Sequence, residues 1–366
     1  MMRVGIVGCG KMADQHARQI QRIPGATLAA VCDSEPLMAL QMSERYGVGQ
    51  SFTNVLEMLD RTPLDVVHIV TPPQTHCALA VASMKAGCHV YVEKPFTVTT
   101  AEAEELIRAA ADTGRKITAG HNAQFTHAMR RMRQLVTSGY LGGRPVHMES
   151  LYCYDLSDPA YARAVLSDRD HWARRLPGSL LQNIISHGVS KLVEFLAGDN
   201  PKVLACGFTS KALRRAGEDD VVDEVRIVIE DEESTTAYFT FSSQMRPPLH
   251  QFRLYGPKNG LIVDDDHQTV LRLSAKEYKS YIRYVVPPVD YAGQYLRDVG
   301  NNVWKFLRGE FHLPYDAGLK TLLEAFYHSI ENDTPPPLPY RDILVTARIM
   351  DAAFAQVTTR RSLAAG

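Results

Sequence analysis

The sequence lacks the features that mark membrane, secreted, zinc-binding or nucleic-acid-binding proteins. No apolar run is long enough to span a bilayer, and no basic stretch with an apolar signal core opens the chain. The six cysteines form no C-x-x-C pair, so neither a zinc site nor a redox dithiol is indicated. A formal net charge of -1 gives no field that would attract nucleic acid or anionic lipid. We expect a cytoplasmic protein with buried, reduced thiols, no metal, and neither a nucleic-acid nor a membrane partner.

The chain does contain a regular alternation of strand and helix patterns in its first part. Apolar runs alternate with helical patterns, and these runs lie at 4–7, 27–32, 66–70, 89–92 and 117–120. This βαβ spacing predicts an α/β domain with a doubly wound parallel sheet over 1–122. Strand-like runs then follow one another, which predicts an α+β domain with a large, mostly antiparallel open sheet over 123–366. Its C-terminal helix, 340–362, could pack back on the first domain.

The first turn of this pattern follows the strand VGIV and reads GCGKMA, residues 8–13. A G-x-G-x-x-A turn between a strand and a helix directs backbone N–H groups and the positive helix end at a pyrophosphate. Gly8 permits the tight turn and Gly10 lets the phosphates approach. A purely structural turn and a methyltransferase fold are the alternatives. The motif predicts a Rossmann dinucleotide site, with Lys11 and Met12 among its residues.

Asp33 ends the second strand, about 20 residues after the turn. A carboxylate there accepts hydrogen bonds from the ribose hydroxyls and repels the 2′-phosphate of NADP. NAD is therefore the expected cofactor. NADP stays open because a neighbouring cation such as Lys11 could offset the repulsion.

Other polar side chains occupy positions suited to chemistry. Lys94 follows a buried strand pattern at the carboxyl edge of the predicted sheet, where ligands bind, although it could simply reach solvent. Asn183 and His187 share one helix face, either as an ordinary hydrogen-bonded pair or as a base and its orienting residue. Trp172 and Arg174 suit a sugar ring and an anion, or else belong to a folded loop with surface arginines. The acidic runs at 230–233 and 264–266 are interpreted as solvated turns.

Four segments together resemble the glucose–fructose oxidoreductase / inositol dehydrogenase (Gfo/Idh/MocA) family. They are the glycine turn, VTPPQTH at 70–76, GCHVYVEKPF at 87–96 and LLQNIISHGVSKLVEFL at 180–196. The resemblance implies an NAD(P)-dependent oxidoreductase that transfers a hydride between nicotinamide and a secondary hydroxyl carbon. The substrate would be a sugar, sugar acid, cyclitol or nucleotide sugar. The second domain's sheet would pair subunits into a homodimer or homotetramer.

The resemblance also implies residue roles. Lys94 would stabilise the alkoxide and contact the nicotinamide ribose, beside a Lys–Pro bond that is often cis. His187 would move the hydroxyl proton, and Asn183 would orient the substrate. The cofactor-binding set would further include Thr71, Pro72, His76, Glu93 and Asn122. Substrate binding would involve Lys94, Trp172, Arg174, Asn183 and His187, and the chemistry needs no metal.

The sequence departs from the family pattern in several places. Asn183 and Ser190 replace aspartates, Gln124 replaces an arginine, and His121 replaces an aromatic residue. An amide cannot relay a proton or stabilise an imidazolium as a carboxylate does. His121 is either a substrate contact or a solvated side chain. Two rival functions stay open: an NAD-assisted glycosidase that works by transient oxidation and elimination, and a non-catalytic, dinucleotide-binding sugar sensor.

Overall fold

The computed structural model describes residues 1–155, 171–215, 217–232, 235–310 and 314–365. The chain forms two compact units, 1–122 with 318–347 and 123–317 with 348–366. The first unit thus includes a later segment that the sequence-based bounds assign to the second region, and those bounds stay a prediction. No helix in the described ranges has the length and apolar character needed to cross a membrane. All six cysteines are free thiols, but Cys206 is exposed, so the expectation of a buried thiol is wrong there.

The first unit is built on a six-stranded parallel sheet in the order β3-β2-β1-β4-β5-β6. Its strands are β1 (Met2–Val7), β2 (Ala26–Cys32), β3 (Ser51–Phe52), β4 (Val66–Ile69), β5 (His89–Val92) and β6 (Ile117–Ala119). The residues of β4 and β6 are buried throughout, as in a sheet covered on both faces. The predicted doubly wound sheet is confirmed, and its strand order reverses at β1.

Helices connect these strands, and local side chains define where they begin. They are α1 (Lys11–Ile20), α2 (Pro36–Tyr46), α3 (Val55–Arg61), α4 (His76–Lys85) and α5 (Thr100–Thr113). Asn54 caps α3 by accepting hydrogen bonds from the backbone N–H groups of Leu56 and Glu57. The Thr99 side chain caps α5 in the same way, by accepting a hydrogen bond from the backbone N–H group of Glu102. The short β3 and α3 were not predicted from the sequence.

The second unit is built on a seven-stranded sheet in the order β13-β12-β11-β7-β10-β9-β8. Its strands are β7 (His147–Cys153), β8 (Lys202–Phe208), β9 (Glu224–Glu230), β10 (Thr236–Ser242), β11 (Leu249–Tyr255), β12 (Asn259–Asp264) and β13 (Thr269–Ser274). Only β7 and β10 pair in parallel, so the prediction of a mostly antiparallel sheet is confirmed.

Helices accompany this sheet, and one of them packs on it to form the core. The remaining helices in chain order are α6 (His127–Thr137), α7 (Ser179–Val193), α8 (Lys211–Arg215), α9 (Val286–Leu307), α10 (Pro314–Glu331) and α11 (Tyr340–Ala365). Most of α10 and the first turns of α11 belong to the first unit, which includes 318–347. α7 packs on β7 and β10. Gly188 permits this contact, because a Cβ there would lie 2.4 Å from the Phe239 ring and 2.9 Å from Cβ of Tyr152. The long helices α9 and α10 were not predicted.

Candidate active site

The glycine turn lies directly after β1, where the strand order of the parallel sheet reverses. Gly8 has φ +93°, and a Cβ there would lie 2.9 Å from the backbone nitrogen of Thr71. Only glycine fits this close approach to the loop after β4. Gly10 is the N-cap of α1 with φ -79°, and no atom lies within 4 Å of a Cβ built there. Open space beside the first N–H groups of a helix fits a pyrophosphate.

Asp33 is held at the same turn. One of its carboxylate oxygens accepts a hydrogen bond from the Cys9 backbone nitrogen at 2.6 Å, and the other accepts one from Glu35 at 2.9 Å. These bonds fix the carboxylate at the end of β2, where it stays half-exposed. Lys11 is exposed and Met12 half-buried in the first turn of α1. The residues present therefore fit a dinucleotide.

His76 connects the two loops that follow β4 and β5. Its Nε2 lies 2.8 Å from the Thr71 carbonyl oxygen, and its Nδ1 lies 3.1 Å from that of Pro95. Burial lowers the pKa of His76, and hydrogen bonds to these carbonyls offset that shift in part. A fully buried imidazole with both nitrogens at carbonyl oxygens positions the loops. In the same segment, Thr71 is half-buried and Pro72 is exposed.

Glu93 is a buried carboxylate at the end of β5. Its Oε1 lies 3.0 Å from His16 Nε2 and accepts a hydrogen bond from the Tyr91 hydroxyl at 3.4 Å. Its Oε2 accepts a hydrogen bond from the Lys94 backbone nitrogen at 2.9 Å. Burial alone would raise the pKa of Glu93, but the His16 hydrogen bond and charge interactions with His16 and Lys94 make the net shift downward. Glu93 therefore orients Lys94 from inside the sheet.

The hydrogen-bonded chain continues beyond His16. His16 Nδ1 lies 2.8 Å from His68 Nδ1, and His68 Nε2 lies 2.9 Å from the Tyr327 hydroxyl. Burial lowers the pKa of His68 well below its usual value. Two buried imidazoles therefore connect the Glu93 carboxylate to the Tyr327 hydroxyl. The sequence analysis missed these partners.

Lys94 lies beside the end of β6. Its peptide bond to Pro95 is cis. A Cβ on Gly120 would lie 3.0 Å from the Lys94 backbone nitrogen, so these segments pack closely. Burial lowers the pKa of Lys94, while Glu93 acts to raise it. Burial also lowers the pKa of His121 to about 4, so the interpretation of a solvated side chain is wrong. Asn122 follows it and is buried.

His187 and Asn183 lie one turn apart on α7, in the second unit. His187 is buried and Asn183 is half-buried. The His187 ring lies 6.0 Å from the Tyr152 ring on β7. The Tyr154 hydroxyl donates a hydrogen bond to the Tyr152 hydroxyl at 3.0 Å. The structure therefore brings the predicted helix face against a polar aromatic strand.

A second histidine lies beside the same tyrosines. The His250 ring is 4.7 Å from the rings of both Tyr152 and Tyr154. Its Nδ1 lies 2.8 Å from Asp266 Oδ1. Burial would raise the pKa of Asp266, but the His250 hydrogen bond makes the net shift downward. His250 Nε2 is buried and has no hydrogen-bond partner among the described residues.

The interpretation of 264–266 as a solvated turn is wrong for its central residue. Asp265 is buried and forms an ion pair with Lys191 of α7, which is buried as well. Every second residue of β11 is buried, and His250 is one of them. This alternation in the sequence could have predicted that His250 is buried. Nothing local in the sequence pairs that strand with the acidic run.

Two departures from the family pattern are neighbours in space. Gln124 Nε2 donates a hydrogen bond to the Ser190 carbonyl oxygen at 2.7 Å. The Ser190 hydroxyl donates to the His187 carbonyl oxygen at 3.1 Å. The Gln124 side chain therefore contacts the backbone of α7 at Ser190, and both side chains at these positions are neutral.

The predicted substrate loop precedes α7 as a short helical turn over Trp172–Arg175. Trp172 is half-buried, and its ring lies 5.3 Å from that of His171. Both terminal nitrogens of Arg174 donate to one oxygen of Glu218, at 3.0 and 2.9 Å. Its guanidinium is therefore already paired with a carboxylate, and its role in substrate binding stays a prediction.

This fold and glycine turn define a dinucleotide-binding protein with a second, sheet-based unit. A family model described as "Oxidoreductase family, NAD-binding Rossmann fold" matches residues 2–121, and one described as "GFO/IDH/MocA C-terminal domain" matches residues 129–262. The chain belongs to the Gfo/Idh/MocA oxidoreductase family.

Curated relatives match this chain at low identity. Inositol 2-dehydrogenase of Rhizobium meliloti is 22% identical over 366 residues, covering 99% of this chain and 98% of that protein. A 4-carboxy-2-hydroxymuconate-6-semialdehyde dehydrogenase of a Sphingobium species is 27% identical over 151 residues, which is 41% of this chain and 48% of that protein. This match and others like it span less than half the length of those relatives.

Solved structures share the fold over nearly the whole chain. An NAD binding oxidoreductase from Klebsiella pneumoniae superposes with a TM-score of 0.77 at 21% identity, covering 98% of each chain. The WlbA dehydrogenase from Bordetella pertussis, in complex with NADH and UDP-GlcNAcA, gives a TM-score of 0.75 at 16% identity over 98% of this chain and 96% of that one. These identities show the fold alone.

The open space at Gly10 yields a prediction about cofactor binding. We expect Gly10→Ala to weaken NAD binding at least about tenfold, because the methyl group would occupy the approach of the pyrophosphate. Stability without nucleotide should not change, since the backbone there suits any residue. Calorimetric titration and thermal unfolding measure the two effects. Gly49→Ala, also in open space, is the matched control. Unchanged NAD binding by Gly10→Ala would contradict this assignment.

The Glu93 network yields a prediction about stability and pH. At pH 7 we expect Glu93→Gln to lower the free energy of unfolding by about 3 kcal/mol, because the ionised acceptor is lost. The lowered pKa means that the carboxylate contributes this stability fully above its ordinary value of 4.5 and loses it as pH falls through the folded value. The difference between the variant and the wild type should therefore shrink in acid.

Urea unfolding at several pH values measures this difference. Glu57→Gln is the control, because Glu57 forms an exposed ion pair with Arg61 and should change stability by no more than about 0.5 kcal/mol. A difference that stays constant from neutral to acidic pH would show that the charge of Glu93 is not the cause.

Proposed function

We propose that this protein is an NAD-dependent dehydrogenase acting on a secondary hydroxyl of a sugar, sugar acid, cyclitol or nucleotide sugar. One observation carries the proposal. A lysine with a lowered pKa follows β5, two strands along the same sheet from a turn shaped for a pyrophosphate. The carboxyl edge of such a sheet is where ligands bind in doubly wound folds. Relatives named as dehydrogenases of inositol and glucosides support the substrate class.

In the proposed reaction, His187 removes the hydroxyl proton and the Lys94 ammonium stabilises the alkoxide as it forms. The bound nicotinamide supplies the hydride acceptor, so the substrate carbon is oxidised to a ketone. Asn183 lies on the His187 face of α7 and orients the hydroxyl. Glu93 acts indirectly, because it accepts a hydrogen bond from the Lys94 backbone nitrogen and so positions Lys94.

We propose NAD rather than NADP as the cofactor. Asp33 accepts two backbone hydrogen bonds, which fix its position at the end of β2. A carboxylate held there repels a 2′-phosphate and accepts bonds from ribose hydroxyls. The exposed Lys11 is the nearby cation that could admit NADP instead.

We also propose that His250 binds a substrate hydroxyl. Asp266 holds its Nδ1, which leaves Nε2 as a buried nitrogen that needs a partner. Tyr152, which lies beside His250, also lies next to His187. A hydroxyl of a carbohydrate-like substrate would supply the missing hydrogen bond.

The outer face of the second unit's sheet supports the expected oligomer. Several apolar side chains of β8, β9 and β10 are exposed there, namely Leu204, Phe208, Val228 and Tyr238. An apolar face of this kind on a sheet commonly marks an interface. We propose that two copies pair through it.

The catalytic proposal predicts a loss of turnover without a loss of cofactor binding. Lys94→Met and His187→Asn should each lower kcat at least about 100-fold, because charge stabilisation or proton transfer is removed. NAD binding should persist. Turnover is measured as NADH formation with a panel of sugars, sugar acids and cyclitols. Lys85→Met, an exposed lysine of α4, is the control.

Three other outcomes would contradict this function. Near-wild-type turnover in either variant would remove that residue from the mechanism. NAD that copurifies in stoichiometric amounts, with glycoside cleavage but no net NADH formation, would indicate an NAD-assisted glycosidase. NAD binding without turnover of any substrate in the panel would favour a sugar sensor.

The His250 proposal predicts a change in KM. We expect His250→Leu and Asp266→Asn to raise KM about tenfold and to change kcat less than about threefold, because a binding contact is lost from ground and transition states alike. His267→Leu is the control, since His267 and Asp264 form an exposed pair of the same type. Steady-state kinetics separates the two constants. A large loss of kcat with unchanged KM would overturn the binding role.

A further inference from the structure

Helix α9 buries polar side chains and exposes apolar ones, which is the reverse of an ordinary surface helix. Its only buried side chains are polar, namely Gln294 and Asp298. The large apolar side chains point away from the protein, and Leu296 and Phe306 are 73% and 68% exposed. A helix at the surface of a monomer normally turns its apolar face to the core. α9 therefore carries an apolar face that its own unit does not cover.

The inward polar side chains have a structural task at the edge of the sheet. Gln294 Oε1 accepts a hydrogen bond from the Arg272 backbone nitrogen at 2.8 Å, and its Nε2 donates to the Arg272 carbonyl oxygen at 3.2 Å. Asp298 accepts from the Val270 backbone nitrogen at 2.9 Å and pairs with Arg131. These bonds satisfy the open edge of β13. They also hold α9 so that its other face must point outward.

The exposed face has the spacing of a helix-packing seam. Intervals of three and four residues alternate along it, through Val289, Ala292, Leu296, Val299, Val303 and Phe306. We call these six residues the α9 seam, and all are exposed. Alternation of three and four is the a/d pattern by which two helices pack knobs into holes. We propose that the α9 seam packs against the α9 seam of a second copy of this chain.

The size of the face suits a stable protein interface. Trp304 and Tyr295, beside the seam, are 58% and 48% exposed. With Phe306 they present roughly 400 Å² of aromatic surface, since aromatic side chains bury 150–250 Å² each. The aliphatic seam residues extend the face toward the roughly 800 Å² per partner of a stable interface. Few monomers expose an apolar patch of that size.

Small residues favour a second helix as the occupant. Gly293 and Gly300 flank the seam in open space, although glycine is unfavourable inside a helix. Their absence of side chains lets a second helix approach closely. Asp290 belongs to the inward face, because it accepts a hydrogen bond from Gln294 Nε2 at 2.8 Å. The seam itself carries no charged residue that would repel the same seam of a second copy.

The α9 seam is separate from the outer sheet face proposed above. α9 lies along β13, and the exposed sheet residues lie on β8 to β10, toward the other edge of the sheet. Two different twofold interfaces on one chain build a tetramer with dihedral symmetry when their axes meet at right angles. The inference therefore predicts a homotetramer in which each chain uses both surfaces.

The test is the mass of the assembly in solution. We expect Leu296→Glu to halve the mass measured by light scattering and analytical ultracentrifugation, because it buries a charge at the centre of the seam. Asn301→Glu, also exposed on α9 but outside the seam, should keep the wild-type mass. Circular dichroism and NAD binding of Leu296→Glu should match the wild type, which shows that the fold is intact.

The two proposed interfaces can fail separately. Val228→Glu tests the sheet face, and the double variant should be monomeric. If only Leu296→Glu reduces the mass, the seam stands and the sheet interface is overturned. A wild-type monomer, or a folded Leu296→Glu protein with the wild-type mass, overturns the seam. Binding of a monomeric wild type to anionic lipid vesicles, lost in Leu296→Glu, would assign the face to a membrane surface and overturn the proposal as well.

Discussion

A carboxylate buried within a sheet must be matched by hydrogen-bond donors, and Glu93 imposes this condition on the first unit. The donors come from separate elements, and two more side chains complete the set: His16 of α1, Tyr91 of β5, the Lys94 backbone, His68 of β4 and Tyr327 of α10. Helix, strands and the later segment 318–347 therefore share one hydrogen-bonded network. The hydrogen bond from the Lys94 backbone nitrogen to Glu93 therefore fixes how the chain leaves β5.

In the second unit, too, buried charged groups are matched by partners. Lys191 and Asp265 neutralise each other where α7 packs on the sheet, and neither is left buried alone. Gln124 donates a hydrogen bond to the Ser190 carbonyl oxygen, and the Ser190 hydroxyl donates to the His187 carbonyl oxygen. The side chains nearest the His187 backbone are therefore neutral.

The polarity of an exposed surface depends on which hydrogen bonds its side chains must supply to the rest of the protein. α9 uses its polar side chains on the unpaired edge of β13, so its apolar face is left for another surface. The outer face of β8 to β10 also exposes apolar side chains, although the open face of an antiparallel sheet is ordinarily polar. Both surfaces lie on the second unit.

The sequence by itself determined the features that depend on short-range pattern. The periodicity of the apolar residues and the composition of the strands identified the parallel sheet and the mostly antiparallel second sheet. The glycine turn at Gly8 and Gly10 was recognised from its motif. Each of these features is encoded within a few neighbouring residues. The roles of Lys94, His187 and Asn183 stay predictions, and α9, α10 and β13 were missed. Only the tertiary structure decided which side chains meet. Partners of the Glu93 network lie 52, 77 and 259 residues apart, and no local pattern specifies a hydrogen bond across such separations.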